Sequence, residues 1–393
     1  MPRYLSIVRT MLVLGISISP AVVSAQSVAA GLSSLLTDET PPPQGYVRDR
    51  AAADATFATV AGLFQVELSG LPVASSAGGF AYRFSPGLGT VERASDTFGP
   101  FFSERAVRSG RRHLSLGLSY GHAEFDTLQG ADLTSGTFPT NTARFADQLQ
   151  PFSVDTLTLT LERETVTAVA NYGLTDRLDV GVVVPVVRLR YSGRRVNTFN
   201  GQSTLQSARA GTATGLGDVT LNARMRVAGT GASGAAVGTD VRLATGREED
   251  LLGAGKNAWR LMGIGSWERG LLALNANAGF GLGGVSREQF WSGGVGVAAG
   301  LRVTLVGELL GRRLSGLYRV SDVYQPHPVV AGVETMRWLP EEAGVTTHYL
   351  VTGAKWNVGG SWLLNASLLT RLTDTGLKAR FTPTLALDYG LGF

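Results

Sequence analysis

His113 and Ser115 are the residues of this chain whose types and spacing most resemble a nucleophilic site. An imidazole can act as a base toward a nearby serine hydroxyl, and two residues separated by one position lie on the same face of an extended strand. Such chemistry also needs a third group that orients the histidine and donors that stabilise an oxyanion. The pair alone therefore defines only a hypothesis of hydrolysis.

Two further patterns resemble binding sites in part. Gly253–Lys256 lacks the phosphate-loop pattern, because Asn257 stands where a Ser or Thr belongs and Asp250 where the first Gly belongs, so a turn is the better interpretation. The acidic run 248–250 could bind a divalent cation, although acids in a loop are more often simply solvated. The chain has no cysteine, and its histidines show no metal-ligand spacing, so we expect no metal and no cofactor; the histidines are His113, His122, His327 and His348.

The elements that would position these residues are strands, as the C-terminal run illustrates. Apolar residues occupy every second position from Leu385 to Phe393, and small or polar residues occupy the positions between. A period of two separates these sets onto opposite faces of a strand, as a membrane barrel requires. The chain ends on an aromatic residue, which resembles the signal read by the barrel-assembly machinery of bacterial outer membranes; Tyr389, Leu391 and Phe393 would form it.

Twelve segments of this kind follow one another after residue 111. We predict strands at 112–125, 155–174, 177–192, 215–228, 235–246, 257–269, 271–282, 290–301, 303–318, 345–358, 361–371 and 379–393. Their connections alternate between short turns and longer loops, the longest being 126–154, 193–214 and 319–344. The sequence therefore predicts an all-β protein, a transmembrane antiparallel barrel of about twelve strands, at most fourteen.

Alternation also assigns side chains to the two surfaces of the barrel. Near residues 163–165 the parity changes between Leu157, Leu159 and Leu161 on one side and Tyr172 and Leu174 on the other, which we interpret as a β-bulge. Aromatic residues at predicted strand ends would form two girdles at the membrane interfaces. These are Trp259, Trp267, Trp291, Trp356, Trp362 and Tyr389.

The same parity places charged residues in the lumen. The candidates are Arg224, Arg226, Asp240, Arg242, Arg260, Glu308, Arg312, Lys355, Arg371, Arg380 and Asp388. They could pair with each other or with a plug and make the barrel rigid, or they could form a cation-rich wall that favours anions or polarises a polar substrate. A barrel of about twelve strands is narrow, which favours pairing.

The first 110 residues differ from the rest of the chain. Two arginines flank a short apolar stretch that ends at small residues near Ala25, which predicts a cleaved signal peptide at 1–25. Residues 26–110 contain a helical spacing (Phe57, Val60, Phe64, Leu68) and a hairpin pattern near Pro86. This segment would be an inner plug, a periplasmic extension or two extra strands, and residues 111–393 would be the barrel.

Several short runs resemble one family of bacterial outer-membrane barrels. They include Ser76–Phe80, Phe98–Arg105, Phe125–Gly130, Gly215–Val219 and Ala244–Gly253. These runs are similar to the transporters named for the MetA pathway of phenol degradation. The resemblance implies passive uptake of small aromatic or hydrophobic compounds, and it brings no set of binding residues.

The sequence therefore predicts an outer-membrane channel for passive uptake of small solutes. Its expected partners are outer-membrane lipid, lipopolysaccharide, the barrel-assembly machinery and the solute. The net charge of +4 is spread along the chain, so nucleic acid is not expected. Two alternatives remain open: a surface barrel that binds partners through its long loops, and a lipid-hydrolysing barrel enzyme using His113 and Ser115. The second would need its site on the lipid side, whereas parity puts this pair in the lumen, so we expect no enzyme.

Overall fold

The computed structural model describes residues 26–40, 47–69, 79, 82–85, 90–93, 95–315, 318–342 and 344–392. The predicted signal peptide and Phe393 lie outside these residues. Two helices, α1 (Val28–Thr37) and α2 (Arg50–Ser69), and a hairpin of β1 (Tyr82–Ser85) and β2 (Thr90–Arg93) precede the barrel in the described part. Neither of these helices is long and apolar enough to cross a membrane.

Eighteen further strands lie between residues 113 and 392 of the described chain. They are β3 (His113–Leu128), β4 (Ala131–Asp132), β5 (Phe138–Phe145), β6 (Pro151–Gly173), β7 (Leu178–Phe199), β8 (Gln202–Leu216), β9 (Thr220–Thr230), β10 (Ser233–Arg242), β11 (Ala258–Arg269), β12 (Leu272–Gly283), β13 (Arg287–Ala298), β14 (Val303–Ser315), β15 (Tyr318–Pro326), β16 (Val333–Glu342), β17 (Val345–Gly359), β18 (Trp362–Arg371), β19 (Leu377–Ala379) and β20 (Phe381–Gly392).

Twelve of these strands form a closed antiparallel ring, which confirms the predicted fold class. Around the ring they run β3, β6, β7, β9, β10, β11, β12, β13, β14, β17, β18 and β20, and β20 pairs back with β3. In the described chain β1 and β2 pair only with each other, so they do not enlarge the barrel to fourteen strands.

The long connections all leave the same end of the barrel. They follow β3, β7 and β14, whereas β6, β9, β11, β13 and β17 end in short turns. Outer-membrane barrels have short periplasmic turns and long extracellular loops, so the end with β4, β5, β8, β15 and β16 is extracellular. Several of these outer strands extend the wall: β5 pairs with β6 and β16, and β8 pairs with β7.

Outward faces are apolar over a limited height. On β3 the side chains of Leu116, Leu118 and Tyr120 are exposed, and on β9 those of Leu221 and Met225 are exposed. Neighbouring residues on the same strands, such as Asn222 and Arg224, are buried inside the barrel. Apolar side chains that face out of a closed barrel belong in hydrocarbon, so this band is the membrane-spanning surface.

The predicted β-bulge near residues 163–165 is wrong. The pairing of β6 with β7 continues without a shift from Ser153 to Gly173, and its pairing with β3 is also unbroken there. Leu157, Leu159 and Leu161 therefore face inward and are buried. The apolar face changes sides because this part of β6 lies above the membrane, where α1 and α2 fill the interior with apolar side chains.

Candidate functional site

The two helices are held inside the extracellular part of the wall. Their apolar side chains join one core with inward residues of β3, β6 and β7 and with Trp338 of β16. Trp338 is the one tryptophan of the sequence that was not predicted to lie in a girdle. Its ring centre lies 4.8 Å from that of Phe138, so it belongs to this core. The core closes the extracellular end of the barrel on the side of the long strands.

Two arginines bind the C-terminal end of α1. Arg195 of β7 is fully buried and donates from Nε to the Leu35 carbonyl oxygen at 3.0 Å, while Arg48 donates to the Leu36 carbonyl oxygen at 2.9 Å. Asp155 lies between both guanidinium groups, 2.5 Å from Arg195 and 3.0 Å from Arg48. Cations stabilise the negative end of a helix dipole, and the shared carboxylate balances their charge in the interior.

The acidic run at 248–250 binds the other end of the same helix. Asp250 is buried, accepts a hydrogen bond from the Val28 amide at 3.3 Å and pairs with Arg247 at 2.8 Å. A carboxylate is favourable at a helix N-terminus. The interpretation of this run as simply solvated is therefore wrong for Asp250, which serves as an anchor for α1.

Asp49 begins α2 and fixes it to β16. Its carboxylate accepts hydrogen bonds from the Ala52 amide at 3.0 Å, the Thr335 hydroxyl at 2.6 Å and the Arg337 guanidinium at 3.0 Å. Burial raises the pKa of Asp49, but these hydrogen bonds outweigh it and hold the pKa below its ordinary value. The group is therefore both the N-cap of the helix and its link to the wall.

Glu67, near the end of α2, forms the next attachment. It lies 2.9 Å from Arg312 of β14 and 3.1 Å from Arg371 of β18, and all three side chains are buried. One carboxylate thus connects the helix to two different strands. Removing one partner from such a buried charge group typically costs about 3–5 kcal/mol, because the remaining charges lose their compensation.

Below the helices, residues 95–110 run through the lumen; we refer to them as the lumenal segment. Glu308 of β14 is its most extensive contact. The buried carboxylate accepts hydrogen bonds from the backbone amides of Phe101, Phe102 and Ser103 and from the Ser103 hydroxyl, the last at 2.7 Å. Consecutive amides that point at one anion form the type of concave nest that binds negative charge.

Other wall residues hold the rest of the lumenal segment. Asn277 of β12 pairs with the Glu104 backbone in both directions, at 2.6 and 2.9 Å, and Lys355 of β17 donates to the Pro100 carbonyl at 2.7 Å. The Ser109 amide donates to Asp179 of β7 at 2.9 Å. The segment is therefore fixed by side-chain contacts to its backbone rather than by strand pairing.

A cavity of about 200 Å³ lies between the lumenal segment and the wall from β9 to β14. Phe102 and Glu104 line it on the inside, and Met262, Phe290 and Leu310 supply apolar wall. Besides Glu104, its charged lining residues are Arg224, Asp240, Arg242, Arg260, Glu288 and Arg312. Closer to the periplasmic end, a void beside Arg105 and Glu268 measures only about 10 Å³, so the lower lumen is packed there.

Ten of the predicted lumenal residues face the interior, and most of them bind a partner there. Arg224 pairs with Asp240 at 2.7 Å and with Glu104 at 3.4 Å, and Arg260 pairs with Glu288 at 2.6 Å. Asp388 accepts from Asn365 at 2.8 Å, and Arg226 donates to carbonyls of its own hairpin turn at 2.8 and 2.9 Å. These contacts fit the interpretation that the charges make the barrel rigid.

Arg380 is the exception, and its assignment to the lumen is wrong. It lies exposed between β19 and β20, and its guanidinium carbon is 5.2 Å from the centre of the Phe381 ring. The strand begins again only at Phe381, so the parity counted from the C-terminus does not reach Arg380.

Sequence reasoning missed the partners of the predicted charges. Glu67 and Glu104 come from the N-terminal segment, and Glu288 lies at the start of β13, which begins three residues before its predicted position. An earlier strand boundary would have put Glu288 on the inward face. Nothing in the local sequence pattern marks Glu67 as their partner, because it lies near the end of α2 and is distant from Arg312 and Arg371 along the chain.

The aromatic residues predicted as girdles lie on the outer surface. Trp259, Trp267, Trp291, Trp356 and Trp362 are all exposed. Tyr389 stacks on Trp362 with 4.4 Å between ring centres. Trp259 and Trp267 are eight residues apart on β11, which corresponds to about 20 Å of height at a strand tilt near 40°.

His113 and Ser115 both point into the barrel at its periplasmic end. His113 is buried, with Nδ1 3.2 Å from the Arg111 carbonyl oxygen, and Ser115 lies beside the buried Asn171 in the pairing of β3 with β6. The pair is therefore separated from lipid by the wall. In the described part of the chain, no group of three or more His, Asp or Glu residues could hold a metal ion.

No protein-family model and no curated protein matches the chain. Among solved structures, the COG4313 outer membrane channel from Pseudomonas putida F1 is similar at 15% identity, with 72% of this chain and 96% of that chain covered and a TM-score of 0.47. The toluene transporter TbuX of Ralstonia pickettii is similar at 10% identity, with 74% and 91% covered and a TM-score of 0.26. The beta domain of the Bordetella autotransporter BrkA is similar at 10% identity, with 71% and 100% covered and a TM-score of 0.37.

The protein is a bacterial outer-membrane β-barrel. This conclusion rests on its own closed, even-stranded antiparallel ring and on the apolar band around it, an architecture that requires hydrocarbon outside.

Proposed function

We propose that the protein is a passive channel for small solutes, with single-ring aromatic or other compact apolar compounds as the preferred class. The observation that carries this proposal is the cavity of about 200 Å³ inside the barrel. An apolar cavity of about 150 Å³ is enough to bind benzene, whereas drug-sized ligands occupy roughly 300–1,000 Å³. The cavity therefore suits small molecules only.

The lining supports a compound with both apolar and polar parts. Phe290, Met262 and Leu310 offer dispersion contacts, and the ion pair of Arg260 with Glu288 offers polar ones on the same wall. Passive flux requires no cofactor and no energy source. The lumenal segment lies below the cavity, so a solute reaches the periplasm only when this segment moves.

The test is solute uptake by proteoliposomes that contain the full-length protein, with benzoate, glucose and potassium ions as probes. Met262→Trp fills the cavity and should reduce benzoate uptake. Met225→Trp is the matched control, because Met225 is exposed on the outer surface of β9. A barrel that is sealed to every probe, or equal uptake by both variants, would contradict the proposal.

A second candidate function is binding of a partner at the cell surface. Phe145 is exposed on the extracellular extension, its ring lies 4.8 Å from that of Phe152, and the nearby Leu149 is almost fully exposed. If this surface is the functional one, Phe145→Ser should abolish binding of the partner and leave solute uptake unchanged. The reverse result would favour the channel.

We also propose that the protein is not an enzyme. The inward position of His113 and Ser115 supports this, because a lipid-hydrolysing barrel needs its nucleophile on the lipid side. We expect the wild type and Ser115→Ala to hydrolyse phospholipid at the same background rate. Measurable hydrolysis by the wild type that is lost in Ser115→Ala would refute this proposal.

The barrel-assembly machinery and lipopolysaccharide remain proposed partners, consistent with the apolar positions Leu387 and Leu391 of β20.

A further inference from the structure

The barrel wall has very different heights on its two sides. On β6 and β7 the apolar outward run ends at Val166 and Val186, which face each other, and Glu164 pairs with Arg188 in the next outward position. Beyond Val186, β7 continues for thirteen residues to Phe199. At about 3.3 Å per residue and a tilt near 40°, this part of the wall rises roughly 30 Å above the apolar band.

On the opposite side the wall ends at the membrane surface. β12 ends at Gly283, directly after Leu282, which pairs with Trp259. Only residues 284–286 connect β12 to β13. We refer to residues 283–286 as the low rim, and since Trp259 is an exposed aromatic at this level, the low rim lies at the outer lipid–water interface.

The cavity reaches the low rim. Residues of the rim itself line the cavity, together with outward-facing Trp259, Leu282 and Trp291 and with inward-facing Arg260 and Phe290. The cavity therefore extends to the upper edge of the wall on this side. On the high side, by contrast, the apolar core of α1 and α2 closes the extracellular end.

The residues along this route change from apolar to charged. Leu282 and Val285 are exposed apolar side chains at the rim. Directly behind them, Gly281 pairs with Arg260 on one neighbouring strand and with Glu288 on the other. A side-chain carbon at position 281 would lie 3.2 Å from Arg260 and 3.5 Å from Glu288, so glycine leaves room for the ion pair of these two residues directly behind the rim.

We propose that solutes enter the cavity over the low rim, from the outer leaflet of the membrane, and not through the extracellular end of the barrel. The ligand class is a small anionic amphiphile. Its apolar body partitions into the lipid interface beside Leu282 and Val285, and its anionic group meets a lining that carries four guanidinium groups (Arg224, Arg242, Arg260 and Arg312) and three carboxylates (Glu104, Asp240 and Glu288). This inference rests on the proposed channel function.

Because the sequence contains no cysteine, an introduced cysteine is the only thiol that a maleimide can label, which allows a site-directed blocking experiment. Val285→Cys places a thiol on the low rim. Val329→Cys is the control, because Val329 is exposed between β15 and β16 on the extracellular extension. Each full-length variant is labelled in detergent with a polyethylene-glycol maleimide, reconstituted in proteoliposomes and assayed for uptake of 4-butylbenzoate.

Uptake through the Val285→Cys protein should fall in proportion to the labelled fraction, while uptake through labelled Val329→Cys should match that of the unlabelled protein. Loss of uptake on labelling position 329 but not position 285 would overturn the proposed route in favour of the extracellular end. Full uptake after labelling either position would also overturn it. If the unlabelled protein takes up no 4-butylbenzoate, benzoate or ions, the channel function itself fails, which is a distinct result.

Discussion

Glu308 is the residue whose replacement tests most directly how the lumen is closed. Its carboxylate accepts hydrogen bonds from three consecutive amides and one hydroxyl of the lumenal segment. In Glu308→Gln, the glutamine has nearly the same shape as glutamate but keeps only one acceptor oxygen. Its NH₂ group is a donor and would face backbone N–H groups, which are also donors. The side chain would still fill its place, so the change is in hydrogen bonding and charge.

The expected cost follows from the hydrogen bonds that the substitution removes. A hydrogen bond to a charged group contributes about 1.5–3 kcal/mol, and the glutamine would fail to make roughly two of the four, which gives about 3–6 kcal/mol. Each 1.4 kcal/mol changes an equilibrium about tenfold. The ratio of displaced to docked lumenal segment should therefore rise by about a hundredfold or more. The wall keeps its strand pairing, so we expect the barrel to remain folded.

Thiol labelling measures this displacement. Ala106 is fully buried beside β10 and β11, and Ala106→Cys would carry the only cysteine of the protein. Its rate of maleimide labelling should rise about a hundredfold when Glu308→Gln is added, with more frequent openings in single-channel recordings. Glu124→Gln makes the same chemical change at an exposed outer position and should alter neither readout. Equal labelling rates with and without Glu308→Gln would refute the role of this carboxylate.

Two further predictions concern the α2 anchor and the membrane surface. Because the pKa of Asp49 is lowered in the folded state, the stability that its charge contributes is present above the unfolded value of about 3.9 and is lost as the pH falls through the folded pKa. The melting temperature of Asp49→Asn should therefore lie below that of the wild type at pH 7, and the two melting temperatures should converge below about pH 4. Asp54→Asn, at an exposed position of the same helix, is the control and should show no such convergence. Leu118→Arg should lower the free energy of unfolding in lipid by about 2–4 kcal/mol, because Leu118 faces hydrocarbon, whereas Leu149→Arg in an extracellular loop should be neutral. Equal effects of these two arginine substitutions on urea unfolding in vesicles would contradict the assigned membrane surface.

The strands could be predicted from the sequence because their signal is local. Alternation is carried by each strand itself, so all twelve barrel strands and the inward position of ten charged residues followed from parity. Arg380 was assigned wrongly because parity holds only inside a strand, and the strand begins one residue later.

Leu157, Leu159 and Leu161 show a different limit. An apolar strand face points toward lipid only within the height of the membrane. Above the membrane, the apolar face points inward and packs against the helices that fill the barrel. The opposite face of β6 carried a usable signal, since Glu162 and Glu164 pair outward with Arg190 and Arg188. Outward charges on two neighbouring strands mark the end of the apolar band.

The contacts of the N-terminal segment could not be predicted in this way. Glu67 is 245 residues from Arg312 and 304 residues from Arg371 along the chain. A helix pattern locates Glu67 on α2, but it contains no information about which strands the helix will meet. Only the closed ring brings β14 and β18 to the same side of the lumen.

If the protein is the channel proposed above, the way each of its parts is bonded predicts which part moves during transport. Every wall strand shares backbone hydrogen bonds with two neighbours, so opening the wall requires breaking a ladder. The helices are held by a buried core and by Asp49, Asp155 and Glu67. The lumenal segment has no strand pairing of its own, and its contacts to Glu308, Asn277 and Lys355 are individual side-chain bonds. We therefore expect the lumenal segment to be the most easily displaced of the three, and since it lies directly below the cavity, its movement would connect the cavity to the periplasm in the proposed channel.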